Sequence, residues 1–273
     1  MKKKLPLSLL GSLLLIGFIG SNAHAQSAFT GFYGQVSSGY ESNQLGSLST
    51  SSTTIPNINS DIKGTSASQS FGGTPLVLGI GHYWQANDKW LIGVGADYSA
   101  LSQTSATFSR DSTNASGNTT IVAGSTLTYN GASMQLSNRF NLFITPAYAI
   151  DKDKLVYLKA GYSQVTAQYN RPTSATRTLN GVSTTTAATG GSQSSNQGGY
   201  LIGLGYKQMI TSGLYGFVEG NYMGYSAPSY STNTTTRASD TLHGVSSTGT
   251  RTLTHNFASL NTFQALVGVG YAF

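Results

Sequence analysis

Apolar positions alternate with small or polar ones along residues 258–273, ASLNTFQALVGVGYAF. Phe273, Tyr271, Val269, Val267 and Ala265 share one face of an extended chain, and Ala272, Gly270, Gly268, Leu266, Gln264 and Thr262 share the other. Strand side chains alternate between faces, so the first face is apolar and ends in two aromatics, while the second is mostly small or polar. An apolar outside around a small-residue inside is the pattern of a strand whose outer face meets lipid.

The same pattern recurs seven times upstream, at residues 31–40, 75–84, 90–102, 134–148, 155–169, 198–210 and 214–226. Outward positions include Phe32, Val36 and Tyr40, then Leu76, Leu78 and Ile80, then Ile92, Val94 and Tyr98. Further on they include Leu136, Phe140, Leu142 and Ile144, then Val156, Leu158 and Tyr162, then Tyr200, Ile202 and Leu204. Pro146 has no N–H to give a ladder, so a strand end or bulge is expected there. Short turns at 86–89, 151–154 and 211–213 alternate with long polar segments at 41–73, 103–133, 170–197 and 227–256. The long segments are rich in Ser, Thr, Asn and Gly and are expected to bury little. A Thr/Phe/Tyr alternation in 103–133 suggests strands that continue above the membrane. Eight strands with short turns on one side and long loops on the other predict an all-β fold, a closed antiparallel eight-stranded transmembrane up-and-down β-barrel. Closure leaves no backbone edge unpaired in lipid. Trp84 and Trp90 flank the first short turn on the outer face, where amphipathic rings anchor at the interface.

Residues 1–25 read as a cleavable secretory signal: Lys2, Lys3 and Lys4, an apolar run, and Ala23-His24-Ala25 before Gln26. Residues 26–273 are then the barrel. The formal charge of +6 falls to +3 once the three leader lysines are set aside, and the remaining basic residues are scattered, which argues against a nucleic-acid partner. The chain has no cysteine, so thiol chemistry and a lipoprotein anchor are excluded. No apolar run after residue 25 is long enough for a membrane helix.

Gly31-Phe32-Tyr33-Gly34, the stretch GLYGFVEGNYMGY at 213–225, and the ending from Val269 to Phe273 carry a resemblance. The chain resembles the eight-stranded OmpA-type and opacity-protein-like outer-membrane barrels of Gram-negative bacteria. The resemblance implies a cell outer membrane location, contact with outer-membrane lipid and lipopolysaccharide, and insertion by the barrel assembly machinery. It also implies that Phe273, with Tyr271, is the insertion signature. It implies no single activity.

Strand parity places Asp97, Arg139, Lys159, Lys207 and Glu219 inside the barrel. Eight-stranded barrels are narrow and filled by side chains, and buried charges must be paired or hydrated. The expected arrangement is a lower cluster of Glu219 with Lys207, Lys159 or both, below an Asp97–Arg139 pair. Glu219 is expected opposite Gly205. The interior is then a structural plug, and the polar loops are free for adhesion to an extracellular ligand or host surface. A narrow gated pore is the alternative. An OmpW-like channel for small hydrophobic molecules would need an apolar interior, whereas this one is expected to be charged and polar. A surface lipid-modifying enzyme finds little support. His82 has lipid-side parity and no acid beside it. Asp240 and His243 lie in a Ser/Thr/Gly loop. His255 to Ser259 distantly resembles the His-x-Ser-Asn stretch of lipid A deacylases, but its Ser and Asn stand in other places, and an ordinary exposed His is expected. No enzyme activity, cofactor or metal site is expected.

Overall fold

A computed structural model of the chain describes residues 27–53, 62–114, 126–240 and 245–273. The expected signal segment and the loop residues 54–61, 115–125 and 241–244 lie outside them. The strands are β1 (Gly31–Leu45), β2 (Leu48–Ser52), β3 (Ile62–Ser66), β4 (Gln69–Gly73), β5 (Leu76–Gln85), β6 (Trp90–Ser99), β7 (Gln103–Thr104), β8 (Phe108–Asn114) and β9 (Thr126–Asp151). They continue as β10 (Lys154–Asn170), β11 (Ser174–Leu179), β12 (Val182–Ala187), β13 (Ser192–Met209), β14 (Leu214–Tyr225), β15 (Ser229–Asp240), β16 (Val245–Phe257) and β17 (Leu260–Ala272).

Eight of these strands close a ring. β1 pairs with β5, β5 with β6, β6 with β9, β9 with β10, β10 with β13, β13 with β14, β14 with β17, and β17 returns to β1. Every pairing is antiparallel, and the closing ladder runs unbroken from Tyr33↔Ala272 to Leu45↔Leu260. The Phe273 N–H extends it by donating to the Phe32 carbonyl at 2.8 Å. The outer face is the expected apolar belt: Ile80, Leu142, Leu158, Ile202, Leu204, Val218 and Val267 are each at least half exposed. In water that surface would be unfavourable, so this is the lipid-facing wall of a transmembrane barrel. Aromatic rings mark its lower rim, where Trp84 and Trp90 are about half exposed and Trp90 meets Tyr148 edge-on at 5.3 Å. Tyr271 and Phe273 make a similar pair at 5.1 Å.

Three local features depart from the sequence expectation. Leu136 faces inward and is buried, although Phe140, Leu142 and Ile144 face lipid. An extra residue in β9 flips its parity, marked by a register shift opposite Gln164 and Thr166 and by a left-handed Asn138 (φ 50°). Pro146 sits inside β9, paired with Ile92 of β6, and the ladder to β10 is interrupted there instead of shifting. Residues 27–30, outside every expected strand, fold under the barrel. Phe29 is buried against Tyr215 at 5.8 Å, and the Ala28 N–H reaches the Lys152 carbonyl.

The largest departure concerns the long polar segments, which were expected to bury little. About 9–11 residues suffice to cross a bilayer as a tilted strand, yet β9 has 26. The excess is a second sheet standing on the ring, in the order β12, β11, β9, β8, β3, β2, β16, β15. Its inner face buries Leu48, Phe108, Tyr230 and Phe257, which cluster with Met134 and Tyr169 at the top of the ring. Its outer face is held by hydroxyl pairs such as Thr176–Thr185 at 2.9 Å and Thr178–Ser183 at 2.8 Å. The β11–β12 hairpin turns on Asn180-Gly181, both with positive φ (49° and 79°), as a two-residue hairpin loop requires.

Phe273 is 80% exposed and makes its ladder bond with backbone alone. Deleting it is expected to leave export intact and to lower the amount of folded barrel in the outer membrane. The check is the fraction that migrates as compact, heat-modifiable protein on gels. An unchanged fraction would exclude Phe273 as an assembly element.

Candidate functional site

The interior is built in layers, beginning at the end that carries the short turns. Lys207 of β13 points into a box of rings, its Nζ 4.0 Å from the Tyr33 centroid, 4.8 Å from Tyr215, 5.1 Å from Tyr83 and 5.3 Å from Tyr157. It donates to Gln35 Oε1 at 3.1 Å. The ring faces stabilise the ammonium where no carboxylate is in contact. Phe29 belongs to the same aromatic cluster.

Above the box lies an ion triad. Lys159 of β10 bridges Asp97 Oδ2 at 2.7 Å and Glu219 Oε1 at 2.9 Å, and all three are at least 94% buried. The remaining carboxylate positions are filled by neutral donors. Tyr157 OH donates to Glu219 Oε2 at 2.6 Å, Asn221 Nδ2 to Glu219 Oε1 at 2.7 Å, and Asn141 Nδ2 to Asp97 Oδ1 at 2.6 Å. Gly205 stands opposite Glu219, and a Cβ there would collide with the Tyr157 ring that serves it.

Higher still, Arg139 of β9 forks onto Glu41 of β1. Nη2 donates to Oε1 at 2.9 Å, and Nη1 pairs with Oε2. Arg139 Nε donates to Tyr225 OH at 2.9 Å, and Gln264 Nε2 donates to Glu41 at 2.8 Å. The charges of the triad and of this pair are tolerated because each has a counter-charge and its other hydrogen-bonding positions are occupied. Beyond this pair the lumen turns apolar, with Leu45, Leu48, Met134, Leu136, Met223 and Leu260 packed in one cluster.

All five charges assigned to the interior by parity are buried, and Glu219 meets Lys159, one of the two lysines expected for it, but one expected pairing differs. Asp97 and Arg139 do not form a pair: Asp97 goes to Lys159 and Arg139 to Glu41. The Ser- and Asn-rich sequence around Glu41 carries a loop signal, whereas β1 continues to Leu45 and keeps its inward parity. Lys207 meets Gln35 and the aromatic box, and among its described contacts there is no ion pair with Glu219. The interior is also not polar throughout, because the upper cluster is apolar.

The histidines separate. His82 sits on the lipid side between Phe32 at 4.5 Å and Trp84 at 4.4 Å. The side chain of Asp240 and all of His243 lie outside the described residues. His255 was expected to be exposed and is 4% exposed, on the inner face of β16. Its Nδ1 is 2.9 Å from Thr50 Oγ1 and accepts from Arg110 Nη1 at 3.2 Å. Among the described residues, no group of three or more His, Cys, Asp or Glu side chains could hold a metal ion.

Burial, then the charges of Arg110 and Arg171, push the His255 imidazole down to about 4 from the ordinary 6.5. The unfolded chain therefore binds the proton more tightly, and this neutral-imidazole contribution to stability is complete above about 6.5 and lost as pH falls toward 4. The upper sheet is expected to be cut faster by protease at pH 4.5 than at pH 7.5, and His255→Gln is expected to flatten that difference. A steep pH dependence that survives in the variant would assign it elsewhere. In the triad, Lys159→Met leaves two buried carboxylates facing each other and is expected to cost about 3–5 kcal/mol, more than Asp97→Asn. Denaturant unfolding in lipid measures both, and wild-type stability of Lys159→Met would contradict the pairing.

No protein-family model matches the chain, and no curated protein sequence matches it. Similar solved structures include outer-membrane proteins. Ail, the attachment invasion locus protein of Yersinia pestis, is 10% identical with a TM-score of 0.33, covering 86% of this chain and 99% of that one. The outer-membrane protease OmpT of Escherichia coli is 12% identical with a TM-score of 0.39, covering 89% and 97%. The outer-membrane protein OprG of Pseudomonas aeruginosa is 13% identical with a TM-score of 0.44, covering 92% and 99%.

Proposed function

We propose that this outer-membrane barrel is a closed, non-enzymatic scaffold that holds a stiff polar β sheet above the membrane for contact with an extracellular ligand or host surface. The observation that carries this reading is the layered filling of the interior, from Phe29 and the Lys207 box through the ion triad and the Arg139–Glu41 pair to the apolar cluster. The pocket beside Glu41 and Arg139 leaves no room for a water molecule. The exposed face of β11 and β12 offers Ser and Thr hydroxyls on a hydrogen-bonded ladder, which suits recognition by polar contacts at low ordering cost. Lipid and lipopolysaccharide surround the belt, and the assembly machinery is the partner of Phe273 during insertion.

A second reading, passage of small hydrophobic molecules, draws on the apolar upper cluster. Those side chains pack on one another instead of lining a space, which favours the plug. Purified protein in planar bilayers is expected to show no single-channel steps, and Glu219→Ala to remain silent as well. Reproducible steps in the wild type that change in Glu219→Ala would establish the pore.

A further inference from the structure

The upper lumen contains basic groups without an acid. Arg110 of β8 is 4% exposed, His255 of β16 is 4% exposed and Tyr169 of β10 is fully buried. Arg110 Nη1 donates to Thr50 Oγ1 at 3.0 Å and to His255 Nδ1 at 3.2 Å, and its guanidinium lies 4.5 Å from the Tyr129 ring centroid. The Tyr169 ring stands 5.4 Å from His255. Arg171, just past the end of β10 and two residues from Tyr169, adds a second positive charge at the top of that strand. Among the described residues, no carboxylate is paired with Arg110, Arg171 or His255.

Three donors in this cluster are buried and unpartnered: Arg110 Nε, Arg171 Nε and the Tyr169 hydroxyl. Buried polar groups in native proteins nearly always have a partner, and an unsatisfied set calls for an ion or water. A buried guanidinium with neither counter-charge nor full hydrogen bonding is costly. The contrast with Arg139 is direct, because that arginine, in the same barrel, is given Glu41. Arg110 uses Nη1 within the protein, which leaves the Nε side of its fork for a two-point acceptor such as a phosphate, sulfate or carboxylate.

We propose that the lumen of the upper sheet holds an oxyanion-binding site, formed by the open edge of Arg110, the Tyr169 hydroxyl and Arg171, with Thr50 and His255 holding Arg110 in place. The ligand class is a phosphate- or sulfate-like oxyanion, free or as the terminal group of a larger polar molecule. Access is from solvent. In the described pairings β12 joins only β11 and β15 joins only β16, so the upper sheet is open between these two strands. The site faces the lumen and not the lipid belt. It goes beyond the surface-contact role and stands whether or not the barrel conducts.

Isothermal titration of the purified full barrel with inorganic phosphate and with sulfate, against chloride at matched ionic strength, tests the proposal. Saturable heat is expected for the oxyanions and none for chloride. Tyr169→Phe is the decisive variant. Its hydroxyl has no partner in the protein, so a merely structural role predicts unchanged affinity, whereas the site predicts about tenfold weaker binding, the equivalent of one charge-assisted hydrogen bond, with no fall in melting temperature. Arg110→Gln is expected to abolish binding, and Arg177→Gln, on the β11–β12 hairpin, to leave it intact. If Arg110→Gln also loosens the upper sheet, Tyr169→Phe still decides. The titration is expected to be the same in lipopolysaccharide-free detergent as in vesicles containing lipopolysaccharide. Absence of saturable heat, unchanged affinity in Tyr169→Phe, or binding only where lipopolysaccharide is present would overturn the proposal.

Discussion

Lipid supplies no hydrogen bonds, and each backbone N–H or C=O left open in it costs several kcal/mol. The ladder between β1 and β17 removes that cost by joining the first and last strands of the sheet over 13 register pairs. Closure with eight strands then fixes the size of the interior, and a ring of eight is filled by side chains. What lies inside follows from this constraint. Polar and charged residues brought inward by strand parity are cut off from bulk water, so each must find a partner in the ring. Lys159 does so for two carboxylates at once, and Arg139 meets Glu41 through a two-point fork. Lys207 instead relies on ring faces and one amide oxygen.

The same ladders explain the upper sheet. Strands β9, β10 and β13 do not stop at the membrane surface but carry their registers onward, and β10 pairs with β13 without a break from Lys154↔Gln208 to Asn170↔Ser192. The hairpins above are therefore tethered to a rigid base, and Ser and Thr chains that would be disordered alone gain a buried face of Leu, Met, Phe and Tyr. A polar coat held in one shape loses less conformational freedom on binding than a floppy loop. The lumen of this sheet is also where buried donors are left over.

Much of the ring was legible from period-two alternation. The lipid-facing residues, the positions of the three short turns and the inward parity of Asp97, Lys159 and Glu219 follow from counting along strands. Pairings were not legible. Alternation gives a face, while a partner depends on which strands are neighbours and at what height. Glu41 was hidden because Ser, Asn and Gly around it read as loop, although Ser37, Glu41, Asn43 and Leu45 keep the inward phase of Tyr33. The inward Leu136 required knowledge of a bulge, and the left-handed Asn138 leaves only a faint trace in sequence. The β11–β12 hairpin did carry a signal, since Asn180-Gly181 between alternating residues marks a two-residue turn. His255 had none, because burial above the membrane depends on how the upper strands stack.

Residue-resolved amide hydrogen exchange in lipid bilayers tests most directly whether one continuous set of ladders links the ring to the upper sheet. The account predicts slow exchange along Gly31–Leu45 and Leu260–Ala272 that continues into Leu48–Ser52 and the paired part of Val245–Phe257, with a boundary at the edge strands β12 and β15. Rapid exchange throughout the upper strands, with protection ending at the level of Tyr40 and Phe263, would contradict it.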